Sequence, residues 1–235
     1  MSSLPKAMLI DLDDTIVTYG IGSDDAWRQA CGRHAPAVGL EPAAVCAAID
    51  EYFDWFWGSA ERHRIGRLEL RRYRREGPIV ALRRLGCDRA DVGEAIGRTY
   101  GELREASLVA FEGAIETLDE LRRRGVKLAL LTNGGTDLQR PKIEQFDLAR
   151  RFDHVQIEGE IGFGKPKHRA YLHAIEQIGT TPCETWIVGD NIEWEVSVPQ
   201  QLGFYAVWHD HLGRGLDGRD VRPDRIVHRL SELLT

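Results

Sequence analysis

With 235 residues, 43% of them hydrophobic, the chain can bury one large domain or a core plus a modest second domain, which excludes a disordered protein. A net charge of −6 lacks the basic surface that non-specific nucleic-acid binding needs, so no nucleic-acid partner is expected. Cys31, Cys46, Cys87 and Cys183 form no C-x-x-C pair, so neither a disulfide framework nor a zinc site is indicated. No signal-type apolar stretch follows Met-Ser-Ser-Leu-Pro-Lys, and no apolar run nears the roughly 18 residues that cross a bilayer, so the expectation is a cytoplasmic protein with no membrane partner.

Ala7–Leu12 is a short apolar run ending in acids, the pattern of a fully buried strand that opens into a loop. From about Asp24 to Tyr100 the signals are helical: Leu68, Tyr73, Ile79, Leu82 and Leu85 recur at near-helical spacing, with Gly-Pro and Gly-Cys-Asp between segments. After Phe111 the texture alternates. Helices are predicted over 114–124, 138–146, 168–177 and 193–202, and strands over 127–132, 154–157, 185–189 and 204–208. That rhythm predicts an α/β fold, a parallel Rossmann-like sheet with helices on both faces. The acidic end of the first strand belongs to this half by type, so the helical block reads as an insertion: residues 1–17 and 106–235 form the α/β core and 18–105 an all-α second domain. Charge divides the same way. Residues 18–105 hold fourteen arginines, no lysine and fourteen acids, so the α/β part carries the whole −6.

Open parallel sheets bind ligands at the carboxyl ends of their strands. The first strand ends in Asp11-Leu-Asp13-Asp14-Thr15, the second in Thr132-Asn133-Gly134-Gly135, and the fourth in Gly189-Asp190-Asn191-Ile192-Glu193-Trp194-Glu195, with Gly164-Lys165-Pro166-Lys167 between the last two. Gly159 to Lys165 has P-loop spacing, but Pro166 stands where a P-loop needs a hydroxyl for magnesium. Lys165 is therefore read as a fixed positive charge, and Lys167 as a surface residue or an auxiliary to it.

These four ordered motifs resemble those of the haloacid dehalogenase superfamily, over essentially the whole chain, and the segment from Leu131 to Gly164 is similar to its nucleotide 5′-phosphatase and N-acylneuraminate-9-phosphatase branches. The resemblance implies Asp11 as nucleophile, Asp13 as general acid/base, Lys165 as charge stabiliser, Thr132, Asn133 and Lys165 as ligands of the substrate phosphate, and Asp11, Asp13 and Asp190 as the magnesium site. It also implies a helical cap in the insertion. Glu195 replaces the commoner second aspartate of the last motif, so it and Asn191 are expected to support the metal from behind, Glu195 through water. Asp14 takes a place where many members have glycine.

Elementary electrostatics asks for the same groups. Asp11, Asp13, Asp190 and Glu195 at one sheet edge would repel one another and any phosphate dianion, so a cation is required. Hard oxygen donors without clustered His or Cys favour Mg2+, which keeps waters and bridges phosphate. The expected reaction is hydrolysis of a small phosphorylated metabolite through an aspartyl-phosphate.

Three other readings compete. A 2-haloacid dehalogenase needs no metal and has no alkoxide to protonate, which Asp13 argues against. A phospho-accepting regulatory domain places its paired acids before the phosphorylated Asp and is about half this length. An anion- or nucleic-acid-binding module would use the insertion, where Arg62, Arg64, Arg67, Arg71, Arg72, Arg74 and Arg75 face only Glu61 and Glu69. A solvated helix face is the plainer account of that run, and an exposed loop that of His209-Asp210-His211. Substrate identity and oligomeric state are not written in the motifs.

Overall fold

The computed structural model describes residues 4–216, 218 and 220–235. The opening Met-Ser-Ser, read above as free of a targeting signal, lies outside them. The chain divides into two compact units, Met1–Tyr19 with Val109–Thr235, and Gly20–Leu108.

In chain order, β1 (Ala7–Ile10) precedes the helical unit of α1 (Ser23–His34), α2 (Pro42–Trp57), α3 (Ala60–Gly66), α4 (Leu70–Arg84) and α5 (Ala90–Ala106). Its core is Trp27, Ile49, Leu82, Ile96 and Tyr100 with smaller residues between them. Trp27 stacks on Tyr100 with centroids 3.6 Å apart and planes 9° from parallel. Gly93 and Gly97 let α5 approach α4 closely: a Cβ on Gly97 would lie 2.3 Å from the Arg74 carbonyl oxygen.

The second unit continues with α6 (Ala114–Arg123), β2 (Lys127–Thr132), α7 (Thr136–Gln145), β3 (His154–Ile157), α8 (Glu158–Ile161), α9 (His168–Ile178), β4 (Thr185–Gly189), a π-helical turn (Ile192–Ser197), α10 (Val198–Gln201), β5 (Tyr205–His209) and β6 (Arg225–Val227). The strands form one sheet in the order β3-β2-β1-β4-β5-β6, parallel throughout. β1 lies near its centre, pairing Ile10 with Leu130 on one side and Val188 on the other. Both faces are covered. Met8, Ile10, Leu128 and Val188 pack with Leu118 and Leu121 of α6 on one face, while Ala7, Leu9, Ala129 and Ile187 pack with Tyr171, Ala174 and Ile178 of α9 on the other. Double burial is why β1 reads as an unbroken apolar run.

Three sequence expectations need correction. The helix expected over 193–202 is a π-helical turn followed by the short α10, because Pro199 in the first turn of α10 has no N–H to continue a ladder from the preceding turn. The edge strand β6 was not foreseen, since three residues give no period to read. His209-Asp210-His211 is not an exposed loop: His209 ends β5 at 1% exposure, and Asp210 is buried, accepting the backbone N–H groups of Arg214 and Gly215.

Candidate active site

Asp11 directly follows β1, and its backbone N–H still donates to the Val188 carbonyl, so the central ladder fixes where its side chain emerges. Lys165, at 1% exposure, reaches it from the loop before α9: Nζ lies 2.6 Å from Asp11 Oδ1 and 2.7 Å from Glu195 Oε1. The other oxygen of Glu195 accepts the Asn191 N–H at 3.1 Å, and Asn191 Oδ1 accepts from the N–H groups of Glu193 and Trp194. Asn191 thus caps the π-helical turn that carries Glu195 inward. Glu195 is completely enclosed and directly ion-paired with Lys165.

Asn133 holds Lys165 by its backbone. Its Nδ2 donates to the Lys165 carbonyl and its Oδ1 accepts the Lys165 N–H, both at 2.8 Å. Gly164 is required beside this clamp, because a Cβ there would come within 2.3 Å of Asn133 Oδ1. The phosphate role expected of Asn133 therefore falls on a side chain whose amide is already engaged at both ends. Thr132, the last residue of β2, is buried, and its hydroxyl accepts from Gln139 Nε2 at 3.1 Å.

Asp13 faces a different cation. Lys142 Nζ sits 2.7 Å from Oδ1 and 2.8 Å from Oδ2, and Gln139 Nε2 adds a bond to Oδ2 at 2.9 Å. Gln139 therefore bridges Asp13, the Thr132 hydroxyl and the Asn133 carbonyl. Asp14 turns the chain with φ 56°, the left-handed conformation for which glycine is the usual choice, and its Oδ1 accepts the Tyr19 N–H at 2.7 Å. Gln139 and Lys142 were missed in the sequence. The available signal was two polar residues at i and i+3 on the face of α7 that also buries Leu138 and Ile143.

One ammonium serves two carboxylates here, and a third lies close by. Burial works against the charge on Lys165, but Asp11 and Glu195 outweigh it and hold the proton there more firmly than usual. Burial pushes Glu195 up to about 7 despite Lys165. It also raises Asp11. Asp190, after β4, is pushed up to about 8 by burial first and then by the charges of Asp11, Glu195 and Asp14. Its backbone carbonyl is fixed by Trp208 Nε1 at 2.8 Å. Among the described residues no three His, Cys, Asp or Glu side chains form a closed ligand cluster. The site offers hard carboxylate oxygens with surplus negative charge, a donor set that fits a hard divalent cation completing its shell with water. The chemistry such a site supports is attack by a buried carboxylate on an electrophile whose charge Lys165 offsets.

Among curated relatives, phosphoserine phosphatase of Thermus thermophilus is 34% identical over 97% of each chain. An (S)-2-haloacid dehalogenase of a Pseudomonas species is 28% identical over 87% of this chain and 84% of its own. Among solved structures, a HAD hydrolase from Bacillus subtilis bound to magnesium superposes with a TM-score of 0.72 at 20% identity, covering 98% of this chain and 97% of that one. The family model of haloacid dehalogenase-like hydrolases matches residues 5–203. The chain belongs to the haloacid dehalogenase-like hydrolase family.

Proposed function

We propose that the protein is a magnesium-dependent phosphatase that hydrolyses a small phosphorylated metabolite through an aspartyl-phosphate on Asp11. The observation that carries this reading is the second acid: Asp13 stands two residues beyond Asp11, oriented by Lys142 and Gln139. Displacement of a halide from carbon leaves no alkoxide to protonate, whereas an alkoxide leaving from phosphorus needs a proton.

Lys165 engages Asp11 Oδ1, which leaves Oδ2 as the attacking oxygen. The Oδ2–P bond forms as the ester P–O bond breaks, and Asp13 gives its proton to the departing alkoxide. In the second step Asp13 takes a proton from water as the water oxygen bonds to phosphorus and the Asp11–P bond breaks. Lys165 and the Thr132 hydroxyl bind the phosphoryl oxygens, and Asn133 keeps Lys165 in place. Bound magnesium, held by Asp11, Asp13 and Asp190, would neutralise charge on the phosphoryl group. The second, helical unit is read as a cap, and the cytoplasm as the setting that keeps the four cysteines reduced.

The test is a panel of phosphomonoesters including p-nitrophenyl phosphate and phosphoserine, with magnesium and with EDTA, on wild type and Asp11→Asn. Magnesium-dependent phosphate release, abolished in the variant, is expected. Activity confined to 2-haloacids and indifferent to EDTA would replace the reading with a dehalogenase.

A further inference from the structure

The helical unit contains a cavity of about 250 Å³ whose walls are cationic. Arg71, Arg74 and Arg75 reach it from α4 and Arg98 from α5, with Glu102 and Glu105 as the acids of its lining. Glycine spacing on α5 creates it. At Gly97 the two helices touch backbone to backbone, since a Cβ there would lie 2.7 Å from the Arg75 Cα. One turn later a Cβ on Gly101 would meet nothing within 4 Å, so the floor of the cavity is bare helix.

The arginines of this region are not equivalent. Arg64 pairs with Glu61, Arg72 with Glu69, and Arg62 donates to the carbonyls of Trp55 and Phe56. Arg71 shares the cavity with its partner Glu105, 2.8 Å away. Arg74 is 6% exposed, with its guanidinium 5.1 Å from the Tyr100 ring centroid, so it is built into the wall. Arg75 and Arg98 have no hydrogen-bond or ion-pair partner among the described residues. Four guanidinium groups against two carboxylates leave +2 around one small space, where a merely solvated face would intersperse the signs.

We propose that this cavity is a binding site for a small phosphate dianion, built wholly within the helical unit and additional to the strand-end carboxylates. The net +2 matches a phosphate or phosphomonoester, which carries about −1.5 to −2 near neutral pH. Guanidinium forks pair with its oxygens two at a time. The volume lies just under the roughly 300–1,000 Å³ of sites for drug-sized ligands, which suits a small metabolite or free phosphate.

The experiment is an NMR titration of the full chain, following the arginine Nε–Hε resonances. Inorganic phosphate and glycerol 3-phosphate are the ligands that separate free from esterified phosphate, and chloride at matched ionic strength is the control. Saturable shifts at Arg74, Arg75 and Arg98 are expected. In R75A/R98A the apparent Kd read at Arg74 rises at least about tenfold, and R75K/R98K, which keeps charge without the fork, falls between. Arg75 and Arg98 are exposed, so both variants are expected to fold. Shifts that chloride reproduces, or unchanged affinity at Arg74 in R75A/R98A, would overturn the site.

Discussion

The ammonium of Lys142 lies within 2.8 Å of both carboxylate oxygens of Asp13 while its own side chain is almost fully buried over the face of Tyr19, 3.8 Å from the ring centroid. Such a lysine has few other conformations available, and it fixes the orientation of the carboxylate it grips. Lys142→Met keeps the volume and removes the charge. A loss of about 10- to 100-fold in kcat with little change in KM is expected if Asp13 is misplaced rather than absent. The loss should be larger for an alkyl phosphate than for p-nitrophenyl phosphate, whose phenolate leaves with little help from an acid. Equal losses on the two substrates would assign Lys142 to folding alone.

His209 couples stability to pH through a different route. It is enclosed, Nδ1 lies 3.1 Å from the Asp14 carbonyl oxygen, and Nε2 has no hydrogen-bond partner among the described residues. Burial first, and His211 nearby, lower its pKa from 6.5 to about 4. The unfolded chain therefore takes up a proton before the folded one does. The contribution is fully present above pH 6.5 and is lost as pH falls toward about 4, worth on the order of 3 kcal/mol over that window. His209→Asn keeps a donor toward Asp14 and cannot titrate. The difference in urea midpoint between wild type and this variant should shift against wild type across that range; a constant difference would refute the assignment.

How much of this was legible in sequence follows from burial. β1, β2 and β4 are enclosed on both faces, so they appear as apolar runs, and the acids at their ends stand out by contrast. Asp11, Thr132 and Asp190 stand out because polar groups meet at the strand ends of such a sheet, whereas Lys165, in the loop before α9, is legible only through the ordered motifs of the family. Gln139 and Lys142 could not be located, because polar residues on a short helix look solvated until the helix is seen to turn them inward. The expectation for Glu195 concerns the metal alone; its direct pairing with Lys165 depends on the π-helical turn, which no sequence period reveals. His209 was read with its charged neighbours as a loop, although β5 extends through it and pairs it with Val227 of the unforeseen β6.

Asp190 gives the proposed magnesium site a test that does not depend on turnover. With its pKa at about 8, the folded protein keeps a proton that the unfolded chain releases near 3.8, so the metal-free protein loses stability as pH rises between those values. A divalent cation offsets that cost by replacing the proton. The Tm gain on adding excess magnesium to EDTA-treated protein should therefore be larger near pH 8 than near pH 5, and should shrink in Asp190→Asn. A gain independent of pH and of this substitution would place the cation elsewhere.

Gly189 sets the distance between the two acids that share Lys165. It ends β4, and a Cβ there would fall 2.2 Å from Glu195 Cγ and 3.0 Å from Asp11 Cβ. Gly189→Ala must therefore push Glu195 off Lys165 or strain the end of β1, a clash of the kind that costs about 1–3 kcal/mol. Both a lower Tm and a loss of most phosphatase activity are expected. Removing the obstructing Cγ should relieve the clash, so Gly189→Ala with Glu195→Ala should be more stable than the two single effects added together predict. Strict additivity would mean that the alanine methyl is accommodated by β4 itself, and that Glu195 and Asp11 do not depend on the missing side chain for their shared hold on Lys165.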